Sequence, residues 1–390
     1  MIAEAAARLQ SAADAAFALH LADVQISSRH VQRLALQIGS ELAQQRDHKA
    51  VGRRRRTLPV RVAKTPEVVA VEVDGGRLRT RASDCGPGVH DYQNKEDKVA
   101  CLVSLTSAQQ PADPQPEPPP SFLQPRRVRR LVQQMQGHAG DKPPEEAQPA
   151  EPTASPVQPA APEPVATPRR GVRTCVASMV DCHAFGPLVA AEAHERGFYQ
   201  AGRRAFVGDG AAYNWGIQQG YFPDFEPIVD FLHVLCYLYL AAWGVGVDEA
   251  GRWSIYVDWL RACWQGRVGE VIEGLRVWQE RLGEPPKGSE EDEKDPRSLV
   301  AAALTYLQHN ASRMDYPRYR QQGLPVTSSL AESLVGEFNA RVKSRQKYWN
   351  RPDGAEAILQ LRAAVLSEDE RLTRFFAQRP GNPYRRRKAG

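Results

Sequence analysis

The chain contains the run Val68-Val69-Ala70-Val71-Glu72-Val73, followed directly by Asp74-Gly75-Gly76. A short apolar run that ends in Asp-Gly is typical of a buried strand followed by a tight turn. We therefore expect a first strand over Glu67–Val73, a second over Arg77–Arg81 and a third over Lys98–Leu105. Together these would form an antiparallel meander, with the aspartate at the end of its first strand.

A second apolar run ends in the same way. Arg204-Ala205-Phe206-Val207-Gly208 leads into Asp209, and it follows a helix predicted over Gly186–Arg196 and ended by Gly197. Residues 226–230 predict one more short strand. Central strands of one sheet would bring the two aspartates side by side. Taken alone, an Asp-Gly pair after a strand is more simply explained as a turn.

A third carboxylate, Glu332, lies on a helix predicted to begin at Ser328-Ser329. Carboxylates on two strand ends and one helix can hold two Mg²⁺ or Mn²⁺ ions about 3.5–4 Å apart and so support phosphodiester chemistry. The alternative is structural, because Ser329 and Glu332 have the spacing of a capping box. On helical spacing Glu332 shares a small polar face with Gly336 and Asn339, which leaves room for a phosphate backbone.

Asp230 and His233 are three residues apart at a predicted strand-to-helix junction. An N-cap aspartate with a helical histidine explains this spacing as well as a polar pair beside a metal site does. In the second case His233 would orient a substrate phosphate or the scissile strand. The sequence leaves both explanations open.

Basic residues form discrete clusters, although the formal net charge is only +5. Such clusters attract polyanions, chiefly nucleic acid, and they lie at Arg53–Arg56, Arg126–Arg130, Arg341–Lys347 and Arg385–Lys388. The third cluster interleaves cationic and aromatic side chains, which suits contact to a DNA strand, while a solvated helix face is the alternative. The expected DNA-binding residues are Arg341, Lys343, Arg345, Lys347 and Trp349.

Composition indicates the broad class of protein. A chain of 390 residues predicts two or three folded units, and 30 prolines indicate a disordered segment beside a globular remainder. The six cysteines show neither CxxC nor zinc spacing, which favours reduced thiols in a cytoplasmic protein. The N-terminus is unlike a secretory signal, and no apolar run is long enough to predict a membrane span.

The chain divides into segments of different composition. The N-terminal segment predicts two helices that meet near Asp23, with Ser27 or Ser28 capping the second, either as a helix-turn-helix or as a plain helical hairpin. A proline-rich stretch predicts a disordered linker with one short helix near 126–136. An all-helical insertion is expected to use leucines and tryptophans as core, with an acidic loop over Glu284–Arg297.

The predicted segments, in order, are an N-terminal helical segment (1–48), the first part of the sheet domain (60–107), the linker (108–171), the second part of the sheet domain (172–230), the helical insertion (231–315), C-terminal helices (316–370) and a basic tail (371–390).

Four strings carry a resemblance to a known family. They are Val71-Glu72-Val73-Asp74-Gly75, Val207-Gly208-Asp209-Gly210-Ala211, Ile228-Val229-Asp230-Phe231-Leu232-His233, and Tyr319 to Ser333, which reads Tyr-Arg-Gln-Gln-Gly-Leu-Pro-Val-Thr-Ser-Ser-Leu-Ala-Glu-Ser. In order and spacing they resemble bacterial insertion-sequence transposases of the DDE class that are related to the Mutator superfamily. The resemblance covers roughly 60–105 and 172–370, and the last string, continued to Trp349, is its most specific part.

The resemblance implies an α/β (α+β) fold with a ribonuclease-H-like mixed sheet and an all-α insertion between the second aspartate and the glutamate. It implies that Asp74, Asp209 and Glu332 are the catalytic, metal-binding triad, with two Mg²⁺ (or Mn²⁺) ions. It also implies that Asp230 and His233 match a (Cys/Asp)-x-x-His motif.

The function expected from the resemblance is metal-dependent cleavage and strand transfer of double-stranded DNA, at element ends and target. A homodimer or larger assembly in the bacterial cytoplasm, associated with the nucleoid, would carry it out. Two alternatives remain open: a catalytically inactive DNA-binding derivative, and a ribonuclease-H-like nuclease that performs no strand transfer.

Overall fold

The structure is a computed structural model that describes residues 1–81, 92–135, 168–286, 295–328, 336–338, 341–342 and 349–380. The chain separates into two compact units. Unit 1 consists of Met1–Thr106, Arg170–Glu226 and Ser329–Gly390. Unit 2 consists of Ser107–Arg169 and Pro227–Ser328.

Five strands in the described residues form one mixed sheet, in the order β3-β2-β1-β4-β5. The strands are β1 (Val68–Arg81), β2 (Tyr92–Thr106), β3 (Arg169–Ser178), β4 (Arg203–Gly208) and β5 (Glu226–Val229). β1 is antiparallel to β2 and parallel to β4. Its first six residues are buried on both faces, as expected of a central strand; five of them are apolar, and the remaining one is the buried Glu72. The predicted strands in β4 and β5 are confirmed, and so is the mixed α/β class.

The predicted turn at Asp74-Gly75-Gly76 is wrong. β1 continues through these residues and pairs with β2 along its whole length, with Gly75 opposite Lys98 and Gly76 opposite Asp97. The glycines allow close approach instead, because a Cβ added at Gly76 would lie 2.8 Å from Asp97 Oδ1. The expected three-strand meander is therefore one long pair of antiparallel strands.

The helices in the described residues are α1 (Ile2–Arg8), α2 (Ala12–Leu21), α3 (Ser28–Arg54), α4 (Pro125–Met135), α5 (Cys182–Glu195), α6 (Ala212–Tyr221), α7 (Phe231–Val245), α8 (Glu249–Trp264), α9 (Val268–Leu282), α10 (Pro296–Asn310), α11 (Tyr316–Gln321), α12 (Pro352–Leu366) and α13 (Arg371–Gln378). Among them, none is long and apolar enough to cross a membrane. The start of the predicted basic tail is helix α13, and residues 381–390 lie outside the described range.

The N-terminal helices of unit 1 form a group in which α1 and α3 pack on α12, and α2 packs on α1 and α3. Ser27 caps α3 as predicted, because its Oγ accepts a hydrogen bond from His30 N at 3.3 Å. α3 then runs to Arg54, beyond the expected end near residue 48. Gly39 lies where α3 meets α12, and a Cβ there would collide with the backbone of Ala357. Close contact between these two helices therefore depends on a glycine.

The prediction of a disordered linker is wrong for residues 108–135, which fold into unit 2. Phe122 is buried and stacks on Phe231 with ring centroids 5.8 Å apart. Trp264 donates from its indole nitrogen to Gln115 O at 2.8 Å. The short helix predicted in this stretch is confirmed as α4. Residues 136–167, the rest of the expected linker apart from its last few positions, lie outside the described residues.

Residues 231–315, predicted as a helical insertion, contain α7 to α10, and unit 2 continues beyond them to Ser328. The leucines expected in its core are buried, namely Leu232, Leu235 and Leu238. The tryptophans behave differently, because Trp264 is buried and Trp243, Trp253, Trp259 and Trp278 are only half-buried. α9 ends at Leu282 and α10 begins at Pro296, and residues 287–294 of the predicted acidic loop lie outside the described residues.

Candidate metal centre

Asp74 and Asp209 occupy neighbouring positions in the sheet. The parallel register of β1 and β4 ends with Val73 opposite Gly208, so the next residue on each strand is one of the two aspartates. Neighbouring strands lie about 4.8 Å apart. Both aspartates are half-buried. Two of the three predicted carboxylates therefore start from adjacent backbone positions at the place where β4 ends.

The carboxylate of Asp209 is held in position from two sides. Its Oδ1 accepts hydrogen bonds from Ala211 N and from Asn214 Nδ2, each at 2.8 Å. Asn214 is buried on α6, and its Nδ2 also donates to Val73 O at 3.5 Å. This amide therefore ties the end of β1 to the carboxylate that follows β4. Partners of this kind orient a metal ligand without contacting the metal.

The negative charges of both aspartates affect the pKa of the Tyr213 hydroxyl. Burial raises the pKa of the Tyr213 hydroxyl, and the negative charges of Asp209 and Asp74 raise it further. A Cβ added at Gly75 would lie 3.2 Å from this hydroxyl, so the glycine leaves room for the ring beside Asp74. Asp74 itself accepts a hydrogen bond from Gly75 N at 2.7 Å. The two carboxylates thus act on one side chain.

A buried cation, Lys98, lies near the Tyr213 ring and was not predicted from the sequence. Lys98 pairs with Gly75 in the β1–β2 ladder and is 5% exposed. Its Nζ lies 3.3 Å from Glu96 Oε2 and 5.9 Å from the centre of the Tyr213 ring. The available signal was a charged pair, Asp97-Lys98, directly before an apolar strand. Because lysines are mostly exposed, this pair does not by itself indicate a buried charge.

The donor set fits a hard divalent cation. Mg²⁺ prefers carboxylate oxygens, and two adjacent, half-buried aspartates with one carboxylate held by fixed N–H donors provide them. Within the part of the chain that the structure describes, no group of three His, Cys, Asp or Glu side chains is positioned to hold a metal. The third predicted ligand, Glu332, lies outside the described residues, as do the predicted DNA contacts Lys343, Arg345 and Lys347.

Asp230 is a buried N-cap in unit 2. Its Oδ1 accepts hydrogen bonds from Leu232 N at 3.1 Å and from Ser328 N at 3.0 Å. Its Oδ2 accepts from Ser328 Oγ at 2.5 Å and from His233 Nδ1 at 2.9 Å. Burial by itself would raise the pKa of Asp230, but the bonds and charge of His233 and the bonds of Ser328 hold it below the usual value.

The cap explanation for this pair is therefore confirmed, and a role beside a metal site stays a prediction. The segment up to Ser328 is also fixed to the start of α7 by the backbone, because Phe231 N donates to Val326 O at 3.0 Å. Asp230 thus anchors Ser328, which directly precedes the predicted start of the helix that carries the third carboxylate.

Two of the predicted DNA contacts are engaged inside unit 1. Arg341 is buried, and its Nε donates to Ala6 O at 3.0 Å, so it holds α1 rather than facing solvent. Burial lowers the pKa of this guanidinium. Trp349 donates from its indole nitrogen to Val342 O at 3.0 Å, and its backbone pairs with Arg79 and Arg81 of β1. The sequence could not distinguish these anchoring roles from DNA contact.

Comparison of the chain with protein-family models finds no match, and comparison with curated proteins finds no significant relative. The resemblance carried by the four motifs therefore stays a prediction.

Proposed function

We propose that this protein is a DNA transposase of the DDE class, of the Mutator-related insertion-sequence type, with a ribonuclease-H-like catalytic domain. The observation that carries the proposal is the β1–β4 register, which makes Asp74 and Asp209 neighbours. Its partners would be double-stranded element ends and target DNA, bound by a homodimer or larger assembly in the bacterial cytoplasm.

The sheet supports the ribonuclease-H-like assignment. Its order is β3-β2-β1-β4-β5, with β1 antiparallel to β2 and parallel to β4, as expected for that fold. The main helical part of unit 2, Pro227–Ser328, is inserted between Asp209 and Glu332 in the sequence. A helical insertion at this point is what the resemblance implies.

The chemistry requires the three carboxylates to act together. Two Mg²⁺ ions held by Asp74, Asp209 and Glu332 would activate a water or a 3′-hydroxyl and stabilise the leaving oxygen of a phosphodiester. Asn214 fixes the orientation of Asp209, and Asp230 fixes the segment that leads to Glu332. No serine or tyrosine nucleophile is needed for this reaction.

The test is cleavage and strand transfer by the full chain. Labelled duplex DNA carrying the ends that flank the gene is incubated with Mg²⁺ or Mn²⁺, in parallel with the Asp209→Ala variant. We expect metal-dependent nicks at the ends and joined products from the wild-type protein, and neither from the variant. Nicking without joining would show a nuclease instead, and binding without cleavage in either metal would show an inactive DNA-binding derivative.

A further inference from the structure

Helix α4 presents a strongly basic surface that the proposed chemistry does not use. Val128 and Val132 are buried and hold α4 in unit 2, where it packs against α7. Four of the first six residues of the helix are arginines, at positions 126, 127, 129 and 130. All four are exposed.

One of these four arginines forms an ion pair with a described residue, and the other three do not. Arg129 forms an ion pair with Glu249, and its guanidinium lies 5.8 Å from the centre of the Trp243 ring. Arg126, Arg127 and Arg130 make no ion pair with any residue that the structure describes. These three residues are called the arginine face below.

The arginine face points away from the buried side of the helix. At roughly 100° per residue, its centre lies about 170° around the helix from the centre of Val128 and Val132. Arg126 and Arg130 are one turn apart, so their side chains leave the helix on nearly the same side. The exposed side of α4 is therefore cationic from Arg126 to Arg130, and Gln133 and Gln134 follow on the same side.

This arrangement is unfavourable for the isolated helix. The positive end of a helix dipole is at its N-terminus, where cations are disfavoured, and the first turn of α4 contains no acidic residue. Like charges at i and i+4 also repel each other. A bound anion would remove both penalties, because it neutralises the arginines and faces the positive end of the helix.

We propose that the arginine face binds the backbone phosphates of double-stranded DNA. This inference rests on the proposed function, because it gives the DNA of that reaction a contact surface in unit 2. Guanidinium groups pair with phosphate oxygens through two parallel hydrogen bonds. Arg126 and Arg130 are about 6 Å apart along the helix axis, close to the axial span of about 7 Å for two steps along one DNA strand.

Duplex DNA fits this surface better than a single strand does. Binding to unpaired bases relies on exposed aromatic side chains for stacking, and α4 contains no aromatic residue. The rings that contact Arg129, Tyr239 and Trp243, stack on each other with centroids 4.1 Å apart. Contact through phosphates alone predicts binding that depends little on sequence and strongly on salt.

The test measures the salt dependence of DNA binding by the full chain. Arg126, Arg127 and Arg130 are changed together to Gln, and fluorescence anisotropy with a labelled duplex of mixed sequence is recorded in EDTA at several salt concentrations. Loss of three phosphate contacts should reduce the slope of log affinity against log salt by roughly 2 to 3. Affinity at moderate salt should fall by about tenfold or more. An unchanged slope would overturn the proposal.

Unit 2 provides a control with the same change in net charge. Arg267 and Arg276 are exposed and Arg318 is half-buried, and each pairs with an acidic residue three positions away. Their triple change to Gln should leave the slope within error of wild type. An equal loss in both triple variants would mean that net charge alone is responsible, and the arginine face would have no special role.

Two further measurements make the outcome specific. Changing the arginine face to Lys keeps the charge, so most of the salt slope should survive, and its complete loss would indicate damage to the fold. An unlabelled RNA duplex of the same sequence should compete no better than the DNA duplex. Stronger competition by RNA would overturn the assignment of DNA as the partner.

Failure of this inference is separable from failure of the proposed function. Binding in EDTA does not depend on the carboxylates or on cleavage. If the wild-type protein cuts and joins DNA but the Gln variant binds like wild type, the arginine face alone is wrong. If no metal supports cleavage but the slope falls as expected, the transposase assignment is wrong and the DNA-binding surface stands.

Discussion

Asp209 and Asp230 are both aspartates at the end of a strand, yet their surroundings are opposite. Asp209 is half-buried, and its bonds to Ala211 and Asn214 come from within five residues of the chain. Asp230 is fully buried, and Ser328, 98 residues away, contributes two of its four bonds. A carboxylate that is oriented but accessible suits a cation, whereas one whose two oxygens are both enclosed by donors holds segments together.

The largest effect is expected when Asp74 or Asp209, the two accessible carboxylates, loses its negative charge. Asp74→Asn and Asp209→Asn should each reduce DNA cleavage by at least about a thousandfold, because the proposed metal site would supply several kcal/mol of transition-state stabilisation. Thermal unfolding should stay close to wild type, since both residues are half-buried. Asp224→Asn, an exposed aspartate of unit 1, is the control and should cut normally. Retained cleavage in either variant would remove that residue from the site.

Replacing Asp230, the enclosed carboxylate, should instead lower the stability of the fold. Asp230→Ala leaves His233, Ser328 and Leu232 N without their buried acceptor, which should cost about 3 kcal/mol. Backbone amides in the first turn of α7 should then exchange with deuterium roughly a hundredfold faster. Asp258→Ala, at an exposed position of α8, should leave exchange in α7 unchanged. Equal protection in both variants would mean that Asp230 is not a structural tie.

Variants of Asn214 and Gln218 distinguish an effect on the orientation of Asp209 from an effect on the stability of α6. Asn214→Ala removes one of the two donors to Asp209 Oδ1, so the Mg²⁺ concentration for half-maximal cleavage should rise roughly 10–100-fold. Gln218 lies on the same helix and is also buried, but its amide donates to Phe222 and Phe225. Gln218→Ala should therefore lower the melting temperature without moving the metal requirement. A shift of equal size in both variants would assign the effect to α6 as a whole.

The smallest expected effect is on acid stability. The pKa of Asp230 is depressed below the ordinary 3.8, so its contribution is complete above that pH and is lost as pH falls further. Thermal unfolding of Asp230→Asn should consequently vary less with pH below about 4 than wild type does. Some acid sensitivity should remain, because burial opposes ionisation of Asp369 but Arg371 and Arg374 lower its pKa to about 2. An identical pH profile in the two proteins would contradict the depressed pKa.

Features set by a few neighbouring residues were predictable from the sequence. Ser27 caps a helix as expected, Asp230 takes the cap role that was one of its two explanations, and the run that became β4 was recognised from its apolar residues alone. Each of these depends on local hydrogen bonding or on local hydrophobicity. The adjacency of Asp74 and Asp209 was also predicted, because central strands of one sheet bring their ends together.

Features set by distant partners were not predictable. Asp74-Gly75-Gly76 has the composition of a turn, but pairing with β2 keeps it extended. Residues 108–135 have the composition of a linker, but Phe122 packs against the rings of Phe231 and Trp264 in unit 2. Arg341 belongs to a basic cluster, yet a carbonyl of α1 fixes it in the interior. In each case a contact with a remote segment overrides the local preference.

The packing of α3 on α12 also sets an order of events during synthesis. Arg46 on α3 pairs with Glu356 on α12 at 2.5 Å, and 310 residues separate them along the chain. At about 5–20 residues per second, a ribosome needs about 15–60 s to make the intervening stretch. For that interval the stripe of Val31, Ala35 and Ile38 has no α12 to cover it. The helical layer around Gly39 can therefore close only late in translation, well after both aspartates have left the ribosome.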